Sequence, residues 1–305
     1  MWRLVDISGE NRHLRLSRNA MEVMEGEQKL GRLPLSDINA VIIHAYRATF
    51  STDLAAALAA ESIPVILCDG KHMPASIIWP VTGHFEQADR IACQAAVRKP
   101  VIGRLWRQII RAKIREQANT LRMHDADGAA ALMRLVREVK PGDPDNLEAR
   151  AARFYWSRLL GGDFVRNPDG GGLNGVLNYG YIVVRSAMAR AVAAAGLSPA
   201  LGIFHTSKRN PFRLVDDLME PFRPLVDRVV FAHREEWRDC MTSEAKQKLA
   251  AIVTGAVPTS DGISPVYRVM GQVALSLSEV YQGHRKNIDL PDDIRIERQL
   301  ELDGL

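Results

Sequence analysis

The sequence predicts an α+β protein, with a small β-rich N-terminal domain over residues 1–80 and a larger all-α domain over residues 96–290. Three observations carry that prediction. Short apolar segments punctuated by turn formers fill the first third. Past Pro80 the apolar residues recur at spacings of three and four. The length of 305 residues, 47% hydrophobic and 25% charged, suffices for two cores.

In the first third, residues 2–7, 14–16, 21–24 and 40–43 read as strands, separated by turn formers such as Ser8-Gly9-Glu10-Asn11 and Glu25-Gly26. Ser51 is a hydroxyl cap for a helix over 52–58. A buried strand over 63–67 then runs into the turn Cys68-Asp69-Gly70. These elements read as one small sheet with a helix or two. Residues 81–95 read as a linker, and residues 291–305 as a C-terminal tail.

In the helical part, Leu105, Ile109, Ile110, Ile114, Ala118 and Leu121 form one apolar stripe, with Arg104, Arg107, Arg111 and Arg115 opposite. Further helices are predicted over 146–160, 174–195, 211–231, 243–253 and 265–281. The run Asp169-Gly170-Gly171-Gly172 lacks the Gly-Lys-Ser/Thr ending of a phosphate loop, and no clean strand precedes it. It reads as a flexible connection, so no nucleotide cofactor is expected.

Composition excludes several classes. No run approaches the ~18 apolar residues of a membrane helix, and the first residues lack a signal peptide's apolar core. Cys68, Cys93 and Cys240 form no CxxC pair, which argues against a thiolate zinc site or a disulfide framework and for a cytoplasmic location. Net charge is +4, yet residues 98–122 hold eight basic side chains against the single acid Glu116. A concentrated basic block of this kind suits a nucleic-acid partner.

Four acid or imidazole positions could carry chemistry. Glu148 follows Asp145 by three residues, which is also a capping-box spacing. His205 ends the apolar run 201–204, where a histidine is either a hydrogen-bonded rim residue or a ligand. Asn210-Pro211 reads as an N-cap with proline at the first helical position. On that helix Asp216, Asp217 and Glu220 stand three and four apart, either balancing Arg213 and Arg223 or gathering a metal. Glu148, His205 and Glu220 together would make an oxygen-rich site for Mg²⁺ or Mn²⁺, leaving positions for water and a phosphate oxygen.

The segment Leu201-Gly202-Ile203-Phe204-His205, followed by Asn210-Pro211-Phe212-Arg213-Leu214-Val215-Asp216-Asp217-Leu218-Met219-Glu220-Pro221-Phe222-Arg223-Pro224-Leu225-Val226-Asp227, resembles the CRISPR-associated spacer integrases (Cas-one). So do Leu105-Trp106, Lys113-Ile114, Gln117-Ala118, Glu148-Ala149 with Ala152 and Tyr155, and Leu177-Asn178-Tyr179-Gly180-Tyr181. The wording around Glu220 is most similar to members from type II systems. The resemblance implies a β-rich N-terminal dimerisation domain joined to a helical catalytic domain, in a homodimer.

It further implies that Glu148, His205 and Glu220 bind the metal, with Asp217 as a secondary acid. The implied reaction joins the 3′-hydroxyl ends of short foreign DNA to the CRISPR repeat by transesterification. Exchange of one phosphodiester for another is nearly thermoneutral, so it needs no nucleotide hydrolysis. The implied partners are DNA and a Cas-two dimer bridging two integrase dimers. Arg104, Arg107, Arg111, Arg115, Lys208, Arg209, Arg213 and Arg223 are the candidate phosphate contacts. Two rival readings use the same residues: a structure-specific nuclease of branched DNA without integration, and a non-catalytic DNA-binding scaffold.

Overall fold

A computed structural model describes residues 3–68, 74–81, 84–259, 262–291 and 294. Of the expected tail, only residues 291 and 294 fall within that set, and Asp69-Gly70 of the expected turn lies outside it.

The N-terminal part holds strands β1 (Arg3–Ile7), β2 (Arg12–Ser17), β3 (Ala20–Glu25), β4 (Gln28–Pro34), β5 (Ile38–Ile43), β6 (Thr49–Phe50), β7 (Val65–Cys68) and β8 (Pro74–Ile78), with helix α1 (Thr52–Ala60) between β6 and β7. The strands form two four-stranded sheets, ordered β4-β3-β2-β6 and β1-β5-β7-β8, where the sequence suggests one. The β2–β3 hairpin closes through Arg18 and Asn19, both at positive φ, in register with Ser17 opposite Ala20. Two left-handed central residues match the right-handed twist of the flanking strands. Strand β4 alternates polar residues along an exposed edge, so its apolar signal is weak.

Strand β5 explains how the two parts join. It runs parallel to β1 and β7, and every residue of Ile-Asn-Ala-Val-Ile-Ile is buried. A strand in the middle of a parallel sheet is covered on both faces. Val41 and Ile43 point into the core shared with Leu14, Met21, Leu54 and Leu58. Ala40 and Ile42 point the other way and pack with Ile66 against Ile182 of the helical part. Arg190 reinforces this junction by donating to the carbonyls of Ile38 and, at 3.2 Å, Glu61. Tyr179 donates to Asp6 at 3.0 Å.

The helical part comprises α2 (Gln87–Ala95), α3 (Lys99–Leu121), α4 (Ala126–Glu138), α5 (Leu147–Leu159), α6 (Leu173–Ala194), α7 (Arg213–Met219), α8 (Arg223–Ala232), α9 (Ser243–Ala251) and α10 (Val266–Tyr281). It also carries a two-stranded ribbon, β9 (Ala256–Thr259) and β10 (Gly262–Pro265), that the periodicity does not reveal. Helices α2 and α4 are likewise additions, and α2 occupies part of the stretch read as a linker.

Helix α6 is buried nearly all round, at the centre of α7, α8, α9 and α10. Gly180 permits that packing, because a Cβ there would collide with Val226 of α8. The single helix expected over 211–231 is instead α7 and α8, joined by a 3-10 turn over Glu220–Phe222. Pro221 and Pro224 lack the N–H groups that would continue one uninterrupted ladder. Glu220 therefore sits at the joint.

Candidate active site

Helix α3 supplies the floor of the site. The apolar stripe from Leu105 to Leu121 is buried as expected. Lys113 is buried too, only 7% exposed. At 3.6 residues per turn it falls about 40° from Ile109 and about 60° from Ile110 around the helix, on the apolar face. That angle is the signal by which it could have been noticed.

Two carboxylates converge on this ammonium. Lys113 Nζ donates to Glu148 Oε1 and lies 2.5 Å from Glu220 Oε2. Burial pushes the Lys113 pKa down, but Glu220 and Glu148 outweigh it and hold the amine above its ordinary range. Burial pushes the Glu220 pKa up, yet Arg223 and Lys113 hold that carboxyl at about 2. Arg223 Nε stands 3.4 Å from Glu220 Oε1, and its guanidinium covers the ring of Tyr181 at 4.7 Å.

Glu148 is free to face Lys113 because another residue caps its helix. Asp143, buried and at positive φ, accepts the N–H groups of Leu147 and Glu148, both at 2.9 Å. The Asp145–Glu148 capping box suggested by spacing does not form. Asp145 pairs with Lys140 instead, and Asn146 enters the helix in a left-handed conformation that supports no side-chain cap. The loop itself is tied to α3 by a bond from Gly142 N to Gly103 O of 2.9 Å.

His205 is held from one side. Its Nδ1 lies 2.6 Å from Asp217 Oδ1, and Asp217 is wholly buried. The same carboxylate accepts backbone N–H groups from Ile203 at 2.5 Å, Phe204 at 3.1 Å and His205 at 3.2 Å. Gly202 makes the approach possible, since a Cβ there would stand 2.9 Å from Asp217 Oδ2. The hydrogen bond to Asp217 raises the imidazole pKa against burial, and Glu220 adds to the rise. With Nδ1 engaged, Nε2 is the ring nitrogen left to act.

The three acids of α7 and its joint thus have three separate tasks. Asp216 makes a bidentate pair with Arg185, at 2.6 and 2.9 Å. Asp217 fixes the His205 loop, and Glu220 faces Lys113. Asn210 is not the N-cap that the Asn-Pro pair suggests: its side chain closes an Asx turn by accepting Phe212 N–H at 2.9 Å, and the helix starts at Arg213 with Phe212 at its N-cap and no side-chain cap.

As the side chains stand, among the described residues, no three His, Cys, Asp or Glu groups are spaced to hold a metal ion. The ammonium of Lys113 lies where Glu148 and Glu220 converge. The donor set nonetheless fits a hard divalent cation. Two buried or half-buried carboxylates already share one positive charge, the Lys113 ammonium, so the pair is arranged to neutralise a cation. The His205 ring is oriented by a buried carboxylate, the usual support of a metal-binding imidazole.

The candidate phosphate contacts are distributed unevenly. Arg104, Lys208 and Arg209 are exposed. Arg107, Arg111 and Arg115 are half-buried, and their mutual repulsion adds to burial in lowering the Arg111 pKa. Arg111 also donates to the carbonyls of Arg137 and Val139 at the end of α4. Arg213 donates to Ser207 O at 2.8 Å, bracing the loop after His205. Arg223 is turned onto Glu220 and Tyr181.

Residues 5–247 match the family profile described as CRISPR associated protein Cas1. The chain belongs to the Cas1 family. The CRISPR-associated endonuclease Cas1 of Neisseria meningitidis serogroup C (strain 8013) is 38% identical over 207 residues, 68% of each chain. Among solved structures, a casposase bound to integration product superposes with a TM-score of 0.78 at 18% identity, over 97% of this chain and 96% of that one. A Cas6-RT-Cas1–Cas2 complex gives 0.74 at 17% identity, over 97% of this chain and 36% of that longer one. At such identities the two structures speak to the fold.

In this Cas1 chain, Asp227, Tyr155 and Tyr181, which belong to the wording that resembles the family but received no role from spacing, form a second buried group near Arg223. Asp227 accepts hydrogen bonds from Tyr155 OH, at 3.0 Å, and Tyr181 OH. Burial raises the Asp227 pKa to about 6, against the lowering effect of the two hydroxyls. The network steadies the Tyr181 ring that carries Arg223. Asp227 follows Arg223 by four residues on α8, so it belongs to the same helix face.

Proposed function

We propose that this Cas1-family protein is a metal-dependent DNA integrase and endonuclease of CRISPR adaptation, joining the 3′-hydroxyl ends of short foreign DNA to the CRISPR repeat by transesterification. The observation that carries the reading is the convergence of Glu148 and Glu220 on the buried ammonium of Lys113, together with a histidine whose ring is oriented by Asp217 and feels the charge of Glu220. Glu148, His205 and Glu220 would hold Mg²⁺ or Mn²⁺. When bound, such an ion supplies charge neutralisation at a phosphodiester.

The chain's own residues do the rest. Asp217 holds His205 in one orientation, so Nε2 is presented without a search over rotamers. Arg223, supported on Tyr181, keeps Glu220 ionised. Lys208 and Arg209, with Arg104, supply charge for phosphates along the DNA, and Arg107, Arg111, Arg115 and Arg213 add to it from half-buried positions. Catalysis of this kind rests mainly on positioning the two strands. In this reading residues 1–80 form the homodimer, residues 96–290 are catalytic, and a Cas2 dimer bridges two such dimers in the cytoplasm. The Cas6-RT-Cas1–Cas2 neighbour supports the Cas2 partner, and the casposase neighbour supports the reaction class. Among the described residues, no helix is long and apolar enough to cross a membrane.

A supercoiled plasmid carrying a repeat array, incubated with labelled short duplex, Mg²⁺ or Mn²⁺ and the Cas2 partner, tests the reading. The expected result is label joined to the plasmid, lost in Glu148→Gln, His205→Ala and Glu220→Gln while DNA binding persists. Nicking without label transfer supports the branched-DNA nuclease instead. Joining that survives His205→Ala would remove the catalytic assignment and leave the scaffold.

A further inference from the structure

Beside His205 lies an aromatic pair with no part in the site so far. Phe204 is 50% exposed, while Trp106 of α3 is almost fully buried. Their rings stack in parallel, with centroids 4.2 Å apart and planes within 2°. Trp106 covers one face of the phenyl ring, so the exposed half is the opposite face and its rim. Both rings meet the imidazole of His205 edge-on, with centroids 6.2 Å away.

Phe204 leaves apolar area in water on the face turned away from Trp106. Its backbone is also held unusually firmly. The N–H groups of Ile203, Phe204 and His205 all end on the Asp217 carboxylate, so the ring and the candidate metal-binding imidazole share one anchor. Lys208 and Arg209 follow within five residues, both exposed. An aromatic face bordered by cations is the composition of a single-strand nucleic-acid site: the ring takes a base and the cations take the flanking phosphates.

We infer that the open face of Phe204, backed by Trp106, is a stacking platform for one unpaired nucleobase of the DNA strand whose phosphate or 3′ end reaches the His205 site. The inference rests on the DNA reading above and specifies a subsite within it. Stacking holds an unpaired base without reading its identity, so the platform selects a single-stranded end over a paired one. Because the ring and the imidazole share an anchor, a base seated there fixes the register of the strand relative to His205.

The test uses the full chain with Phe204→Ala and Phe204→Trp, and two duplexes, one blunt and one with 3′ single-stranded overhangs. 2-Aminopurine is placed singly at successive overhang positions. Stacking on an aromatic ring is worth about 1–3 kcal/mol per base, so Phe204→Ala should weaken binding of the overhang duplex about five-fold or more. It should leave the blunt duplex unchanged. Quenching of 2-aminopurine at one or two positions should disappear in Phe204→Ala and return in Phe204→Trp. An abasic residue at the quenched position should abolish the difference between wild type and Phe204→Ala. Equal losses on blunt and overhang duplexes, or quenching that persists in Phe204→Ala, would overturn the inference. Failure of the wild type to bind either duplex at low salt would instead overturn the DNA reading itself.

Discussion

Asp217 Oδ1 and His205 Nδ1 stand 2.6 Å apart, and the carboxylate that makes this contact also closes three successive backbone N–H groups. Asp217 is therefore a positioning residue, acting through His205. Its amide variant, Asp217→Asn, keeps the shape but offers one acceptor oxygen where four donors converge. Loss of such a supporting group typically costs 10- to 100-fold in metal affinity or activity. Strand transfer should fall by about that factor, with a loss of about 1–3 kcal/mol in stability from unsatisfied N–H groups. A joining assay combined with urea melts checks both; full activity in Asp217→Asn would refute the role.

Lys113 is the internal counter-charge of Glu148 and Glu220. Replacing it by methionine leaves two carboxylates facing each other in a buried site. Breaking a buried ion pair in this manner typically costs about 3–5 kcal/mol. If Glu148 and Glu220 hold Mn²⁺ as proposed, the ion stabilises the folded chain and should restore part of that loss. Thermal melts in chelator and in Mn²⁺ should therefore show a larger metal-induced rise for Lys113→Met than for wild type. Equal rises would mean that Lys113 and the ion do not share the site.

Asp227 gives the stability a pH signature. Its carboxyl titrates near 6 in the folded chain, raised by burial from an ordinary value of 3.8. Between those values the folded state binds the extra proton, so stability falls as pH rises from about 4 to about 6. The shift corresponds to a loss of up to about 3 kcal/mol. In Asp227→Asn this part of the profile should flatten. Urea denaturation of both proteins at intervals from pH 4 to 7 provides the comparison, and superimposable profiles would contradict it.

DNA binding should weaken steeply with salt, since each neutralised phosphate releases counterions. Removing one phosphate contact lowers the log–log slope by about one. Arg107→Ala should do so without loss of stability. Arg111→Ala should also lower the melting temperature, because its guanidinium holds the carbonyls of Arg137 and Val139. A salt slope near zero for the wild type would remove the electrostatic assignment of the basic block.

The sequence by itself determined the order of a β-rich part and a helical part, the apolar face of α3, and the family. Those properties are local: period, turn chemistry and contiguous wording are written along the chain, and the stripe from Leu105 to Leu121 is buried as its spacing requires. Only the tertiary structure decided how the acids divide their work. Asp143 took the cap that the spacing assigned to Asp145, which left Glu148 to meet Lys113 thirty-five positions away. Asp216 and Asp217 are neighbours, yet one serves Arg185 and the other His205, because successive helical residues point about 100° apart. The two-sheet arrangement and the Asp227 network were also decided in space. Each joins groups far apart in the chain, and the burial that assigns them a partner exists only once the helices and sheets have packed.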